Sequence, residues 1–160
     1  MNCEELIFTS EKFLTRSGVL LFLFRTNGTV QELLLQQRYN TGYSDGMWDC
    51  AAVGHVEANE SMKMAVIREA REELGINIDI KEINFATLTH KREPLTGNTY
   101  YNAYFVVTVY EGDPKIKEPE KCSCLKWFDV NELPIDIIAE RKQALQNYIN
   151  NISYDEFGWD

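Results

Sequence analysis

The stretch GHVEANESMKMAVIREAREELGI, residues 54–76, constrains this chain more than any other. A glycine stands near each end, and Val66, Ile67, Ala70, Leu74 and Ile76 thread its second half. From about Ser61 to Leu74 it reads as a helix, with Asn59 or Ser61 as its cap and Gly75 just past its end. At about 100° per residue, Val66, Ile67, Ala70 and Leu74 share one stripe, and Glu69 and Glu73 stack one turn apart. Glu73 falls only about 20° from Val66 on the same wheel. The carboxylates therefore flank the buried stripe instead of facing away from it. Like charges at this spacing repel by a few tenths of a kcal/mol per pair. A helix built this way needs something beside it that compensates.

Composition narrows the setting. The chain has 160 residues, enough for one sizeable core, and is expected to form a single domain over 1–160. Hydrophobic residues make up 44% and charged residues 26%, a globular balance. The longest apolar run, GVLLFLF at 18–24, is strand-sized and far too short to span a bilayer. The N-terminus, MNCEELIF, is acidic and lacks a basic leader region, so the cytoplasm is the expected compartment. Cys3, Cys50, Cys122 and Cys124 form no CxxC pair and show no zinc spacing, so ordinary reduced thiols are expected. A net charge of −9 argues against a nucleic-acid binder, which would show a basic stripe. It does not argue against a phosphate-bearing substrate, because divalent cations can sit between acidic residues and phosphate.

Around the opening stretch, SGVLLFLFR (17–25) and QELLLQQR (31–38) read as strands joined by an Asn-Gly turn. The loop YNTGYSDGMWD follows. Beyond the helix, INFATLTHK (83–91) and YYNAYFVVTVY (100–110) read as a strand pair. EGDPKIKEPEK is a charged loop, CSCLKWF a short strand, and IIAERKQALQNYI, within about 136–150, an amphipathic helix. Two helices beside a mixed sheet predict a layered α+β or α/β domain.

Glu69, Glu72 and Glu73 lie within about 100° of arc, a ready-made site for a hard cation such as magnesium. Arg68 neighbours them and can orient a glutamate by a charge-assisted bond. Acidic helices are also common as plain solvated surfaces. The fixed spacing around this one weighs against that bland reading.

Gly54, Glu60, Arg68, Glu69, Ala70, Glu72, Glu73, Gly75 and Ile76 match every fixed position of the Nudix box. The chain resembles a Nudix hydrolase of the MutT-like, mutator-type size class. The resemblance implies an α+β fold, an α/β/α sandwich with a mixed sheet in which the box forms loop, helix and loop. It implies that Glu69, Glu72 and Glu73 bind metal, that Glu60 supports the metal site, and that Arg68 holds the catalytic helix. It also implies a metal contact from the carbonyl just before the box glycine, here Val53. AAVG stands there in place of the commoner proline-glycine-glycine run. A further glutamate from a late loop is expected to assist, Glu118 first and Glu120 second.

The implied cofactor is Mg2+, with Mn2+ as a substitute. The implied reaction cleaves a nucleoside diphosphate linked to another group: water attacks one phosphorus in line and a phosphate-bearing group leaves. A nucleoside triphosphate pyrophosphohydrolase, including one acting on oxidised nucleotides such as 8-oxo-dGTP, is the leading expectation. An ADP-ribose or nucleotide-sugar hydrolase and a non-catalytic sensing domain are the alternatives. Isomerase members of the wider fold need particular cysteine and glutamate placements that are not evident here. Expected partners are a small nucleotide, with no nucleic acid and no membrane; homodimers, as in many relatives, are compatible.

For the substrate, Tyr43 and Trp48 are candidates to stack on a flat group, as are Tyr39, Tyr101 and Trp127. Arg38, His90, Lys91 and Arg92 are candidate phosphate contacts. Each of these is more often ordinary packing or solvated charge.

Overall fold

The computed structural model describes residues 13–160, so the acidic N-terminus and Cys3 lie outside the described residues. Strand β1 (Arg16–Asn27) is the axis of the molecule. Val19 through Phe24 is a run of buried side chains, as a strand covered on both faces requires. β1 closes an antiparallel hairpin with β2 (Val30–Arg38) at the pair Asn27 and Val30, with Gly28 at φ 63° in the turn. The hairpin lies where the sequence predicts it, but its two turn residues are Gly28 and Thr29, and Asn27 of the expected Asn-Gly pair ends β1.

The mixed sheet has eight strands in the order β3-β2-β1-β6-β5-β8, with β4 paired to β1 and β7 to β2. The remaining strands are β3 (Trp48–Cys50), β4 (Ala52–His55), β5 (Asn84–Arg92), β6 (Thr99–Val107), β7 (Cys122–Asp129) and β8 (Tyr154–Phe157). β6 runs parallel to β1 and antiparallel to β5, and β8 runs parallel to β5.

Alternation along β1 splits the core in two. Val19, Leu21 and Leu23 pack with Val66, Ala70 and Leu74 around helix α1 (Met62–Glu69). Leu20, Phe22 and Phe24 pack with Tyr104, Ala144 and Leu145 around helix α2 (Ala139–Ile149). Each fully buried Leu or Phe contributes about 1.5–3 kcal/mol. A helix on each face of the sheet gives the expected α+β sandwich.

Three strands go beyond the sequence reading. β3, β4 and β8 have three or four residues each, too few for a period of two to show. The helix of the opening stretch also differs from an ideal α-helix. α1 stops at Glu69, and Ala70–Leu74 continues as a π-helical turn ended by Gly75 at φ 70°. A π turn is wider than an α turn, so residues after Ala70 are rotated from the positions that 100° steps assign.

Candidate active site

The box is assembled around Arg68. Ser61 caps α1 by accepting a hydrogen bond from the Met64 amide, and Arg68 emerges at the helix's far end. Its Nε and Nη2 donate to Glu60 at 3.1 and 2.7 Å, and Nη1 donates to Glu69 at 2.5 Å. Nη1 also reaches Glu72 at 3.4 Å, and Nη2 donates to the His55 carbonyl at 2.9 Å. One guanidinium thus ties the loop before the helix to the helix. Gly54 leaves room for the Glu69 carboxylate, which a methyl group there would displace.

The π turn brings Glu73 inward, where its Oε2 accepts from the Val53 amide at 2.9 Å and from Gln36 Nε2 at 3.3 Å. Glu72 is left exposed. The charged loop after β6 docks on the same turn: the Lys115 amide donates to the Leu74 carbonyl and the Lys117 amide to the Glu73 carbonyl, both at 3.0 Å. That docking sets Glu118 beside the box, with Oε1 accepting from Lys121 Nζ at 3.1 Å. Glu120 is exposed.

Electrostatics single out this corner. Burial, then the charges of Glu69 and Glu118, push the Glu73 carboxyl up to about 8. Burial also raises Glu69, with Glu72 and Glu118 adding to the effect against the pull of Arg68. Glu60 goes the other way, lowered by its hydrogen bonds from Arg68. Among the described residues no three acidic, His or Cys side chains are gathered closely enough to hold an ion as they stand. The donor set still fits a hard divalent cation. It is all carboxylate oxygen, partly buried, and sets Glu60, Glu69, Glu72, Glu73 and Glu118 against Arg68 and Lys121 as the cations bonded to them.

Val53 and Gly54 also line one end of a cavity of about 550 Å³ on the α2 face of the sheet. Tyr43, Tyr100, Lys91, Arg38, Asn102 and Arg141 line the rest, with Glu93, Leu95, Thr96 and Asn98 from the β5–β6 loop. Arg38 is committed to its own surroundings: Nε donates to the Tyr43 carbonyl at 2.7 Å, Nη1 to Asp49 at 2.9 Å and Nη2 to Thr41 at 3.0 Å. Behind the cavity lies a buried ion network. Arg141 donates to Asp49 at 2.7 Å and to Glu140 at 2.8 Å, and Glu140 accepts from Asn102 at 2.7 Å and Tyr104 at 2.9 Å. Burial alone would raise Asp49 and Glu140, but Arg141 outweighs it and holds both below their ordinary values.

Of the residues expected at the site, Arg68 bonds Glu60, Glu69 and Glu72, Glu73 accepts from the Val53 amide, and Glu118 is near enough to raise the Glu73 carboxyl; the Val53 carbonyl makes none of these contacts. Arg38 and Tyr43 reach the cavity. Trp48 does not: it is core, edge-on to Phe128 at 4.8 Å. His90 and Arg92 alternate with Lys91 along β5 and do not line the cavity. His90 instead packs against Tyr101 and Trp159, at 4.6 and 4.5 Å. Trp127 lies under the Arg25 guanidinium at 4.2 Å. Asp49, Asn102, Glu140 and Arg141 were not anticipated. The available signal was Arg141 lying within the apolar stripe of α2, between Ile137, Ile138, Ala144 and Leu145. No described cysteine lines the cavity, and Cys50 is fully buried, its thiol pushed well up by that burial.

Comparison with known proteins follows the same lines. The family model described as NUDIX domain matches residues 14–148. Isopentenyl-diphosphate Delta-isomerase 2 of Aromatoleum aromaticum is 27% identical over 122 residues, covering 75% of this chain and 61% of that protein. Putative nudix hydrolase 1 of Caenorhabditis elegans is 28% identical over 119 residues, covering 74% of this chain and 30% of that protein. The chain thus spans less than two thirds of the length of either relative. The crystal structure of a MutT NUDIX hydrolase from Burkholderia pseudomallei matches with a TM-score of 0.73 at 23% identity, covering 84% of this chain and 98% of that one. With a matched family model over most of its length and that architecture, the chain belongs to the NUDIX domain family.

Proposed function

We propose that the chain hydrolyses a nucleoside diphosphate joined to another group, with Mg2+ (or Mn2+ in its place) at the box, and that nucleoside triphosphates are the first substrates to try. One observation carries this reading: Glu73 is partly buried against the Val53 amide, beside the cavity that Val53 and Gly54 line, and its carboxyl is raised by burial and by the charges of Glu69 and Glu118 with no cation bonded to it among the described residues. The bound cation would neutralise phosphate charge and make a water more acidic.

The chain's own residues position and orient. Glu69, Glu72 and Glu73 would hold the cation, with Glu60 and the Val53 carbonyl supporting. Arg68 fixes Glu69 against Gly54, so the carboxylate is placed before any ligand arrives. The Val53 amide and Gln36 fix one oxygen of Glu73. A cluster glutamate or Glu118 takes the proton from the attacking water. Such a site works mainly by holding the phosphates in line and stabilising charge.

An isomerase reading, prompted by the Aromatoleum relative, is less well supported, because no described thiol faces the cavity. The test is a phosphate and pyrophosphate release assay with Mg2+. The panel holds ordinary and 8-oxo nucleoside triphosphates, ADP-ribose, nucleotide sugars, and isopentenyl diphosphate followed for isomerisation. Metal-dependent release that stops in excess chelator is the expected outcome. Isomerisation without release, or hydrolysis undiminished by chelator, would overturn the reading.

A further inference from the structure

We propose that Asn102 is a specificity-determining residue: its Oδ1 accepts a hydrogen bond from an exocyclic amino group of a nucleobase held in the cavity. The choice of a nucleobase rests on the hydrolase reading above. Asn102 is only 7% exposed, and it lines the cavity. Its Nδ2 donates to Glu140 Oε1 at 2.7 Å. A carboxylate only accepts, so that bond fixes which way the amide faces. Glu140 is itself locked, taking the Tyr104 hydroxyl on the same oxygen at 2.9 Å and Arg141 on the other at 2.8 Å. Among the described residues, Asn102 makes no hydrogen bond through Oδ1. A mostly buried acceptor left unpaired is costly, and a ligand that donates to it removes that cost.

The backbone keeps this oxygen uncovered. Gly18 pairs with Asn102 across the β1–β6 ladder, two residues before Leu20 and Tyr104, so both lie on the α2 side of the sheet. A Cβ on Gly18 would stand 2.5 Å from Oδ1, so any side chain there would close over it. Gly18 is not among the glycines at positive φ. What a side chain would lack at this position is the space beside Asn102, not a permitted backbone conformation.

The cations of the cavity already have anionic partners. Arg38 pairs with Asp49, Arg141 with Asp49 and Glu140, and Lys91 with Glu140 and Glu93. Asn102 therefore adds a neutral acceptor to a cavity also lined by Leu20 and the rings of Tyr43 and Tyr100. A flat, uncharged ring with a donor at its edge fits that set. An amino group suits best, because it projects beyond its ring and reaches a lone acceptor, as on adenine, cytosine and guanine. A ring N–H flanked by carbonyls would press oxygens against an amide whose own N–H is spent on Glu140.

Nucleoside monophosphates serve as probes, because they have no anhydride to cut. Binding is measured by titration calorimetry in Mg2+ for adenosine, cytidine and guanosine monophosphates, each against its analogue with hydrogen in place of the amino group. In the wild type at least one pair should differ roughly tenfold or more in favour of the amino compound, the cost of leaving the acceptor unpaired. Asn102→Leu, similar in size, should bring that ratio to about one. Gly18→Ala keeps Asn102 and its bond to Glu140 but covers Oδ1, and should do the same. Each ratio is taken within one protein, so a general loss of folding cancels. A wild type that binds none of the probes or favours no amino compound, or a preference kept in both variants, would overturn the inference. Such a failure beside metal-dependent release in the panel assay would leave the hydrolase reading intact. An amino preference lost in both variants, in a protein that hydrolyses nothing on the panel, would do the reverse.

Discussion

On the α1 face of the sheet, the Glu69 and Glu73 carboxyls are held above their ordinary values; on the α2 face, Asp49 and Glu140 are held below theirs. All four acids are buried or partly buried. The difference lies in their company. Asp49 and Glu140 have Arg141 at 2.7 and 2.8 Å, whereas Glu69 and Glu73 have mainly each other and Glu118, with Arg68 bonded to Glu69 alone of the two. Acids whose charge the protein neutralises itself are part of its architecture. Acids left in excess are the place to look for a bound cation.

The largest effect that would break this contrast is on stability. Arg141→Met leaves Asp49 with Arg38 alone and Glu140 with the more distant Lys91, and should cost about 3–5 kcal/mol, read as a lower urea midpoint. An unchanged midpoint would show that the network does not hold the fold. Next comes Glu73→Gln, which should lower kcat by about a hundredfold or more, some 2.7 kcal/mol, with the circular dichroism spectrum retained. Turnover near wild type would remove Glu73 from the site.

The same variant sharpens the comparison through pH. The folded value of Glu73 lies above its unfolded value of 4.5, so its contribution to stability is fully present below pH 4.5 and is lost as pH rises through about 8. For Asp49 and Glu140 the sign reverses. Their contribution is present above 3.8 and 4.5 and is lost as pH falls through their lower folded values. Chelator-treated Glu73→Gln should therefore gain on the wild type as pH rises toward 9, and Mg2+ should narrow the gap. Parallel stability curves for the two proteins would contradict this.

Gly54→Ala should cost about tenfold in kcat/KM by displacing the Glu69 carboxylate; full activity would mean that Glu69 need not lie against the backbone. The smallest effect belongs to Thr89→Val. The Thr89 hydroxyl is buried without a partner among the described residues, so the change should be neutral or stabilising by up to about 1 kcal/mol in thermal unfolding.

The box was legible because its signal is local: Gly54, Arg68 and the glutamates sit at fixed spacing within 23 residues. The wheel placed Glu73 near the buried stripe, and it is indeed turned inward, though by a π turn that 100° steps do not contain. The network was not legible for the opposite reason. Arg141 and Asp49 are 92 residues apart, and each alone looks like solvated surface charge. The β5 cluster misled in detail: period two sends Lys91 to the cavity and His90 and Arg92 elsewhere, so adjacency in HKR said little about shared surface. β3, β4 and β8 are held by pairing with distant strands and leave almost no local trace.

β8 has a bearing on how this molecule keeps to itself. Without it, the outward-facing amides and carbonyls of β5, those of alternate residues, would be left unpaired, an open template for another chain to extend. The strand that covers it is only four residues long, YDEF, and puts Asp155 and Glu156 at its middle. Trp159 then clips to the His90 carbonyl at 2.9 Å. The part of that margin from Leu88 to Lys91 is thereby covered by a short, negatively charged strand that offers an incoming chain little to grip.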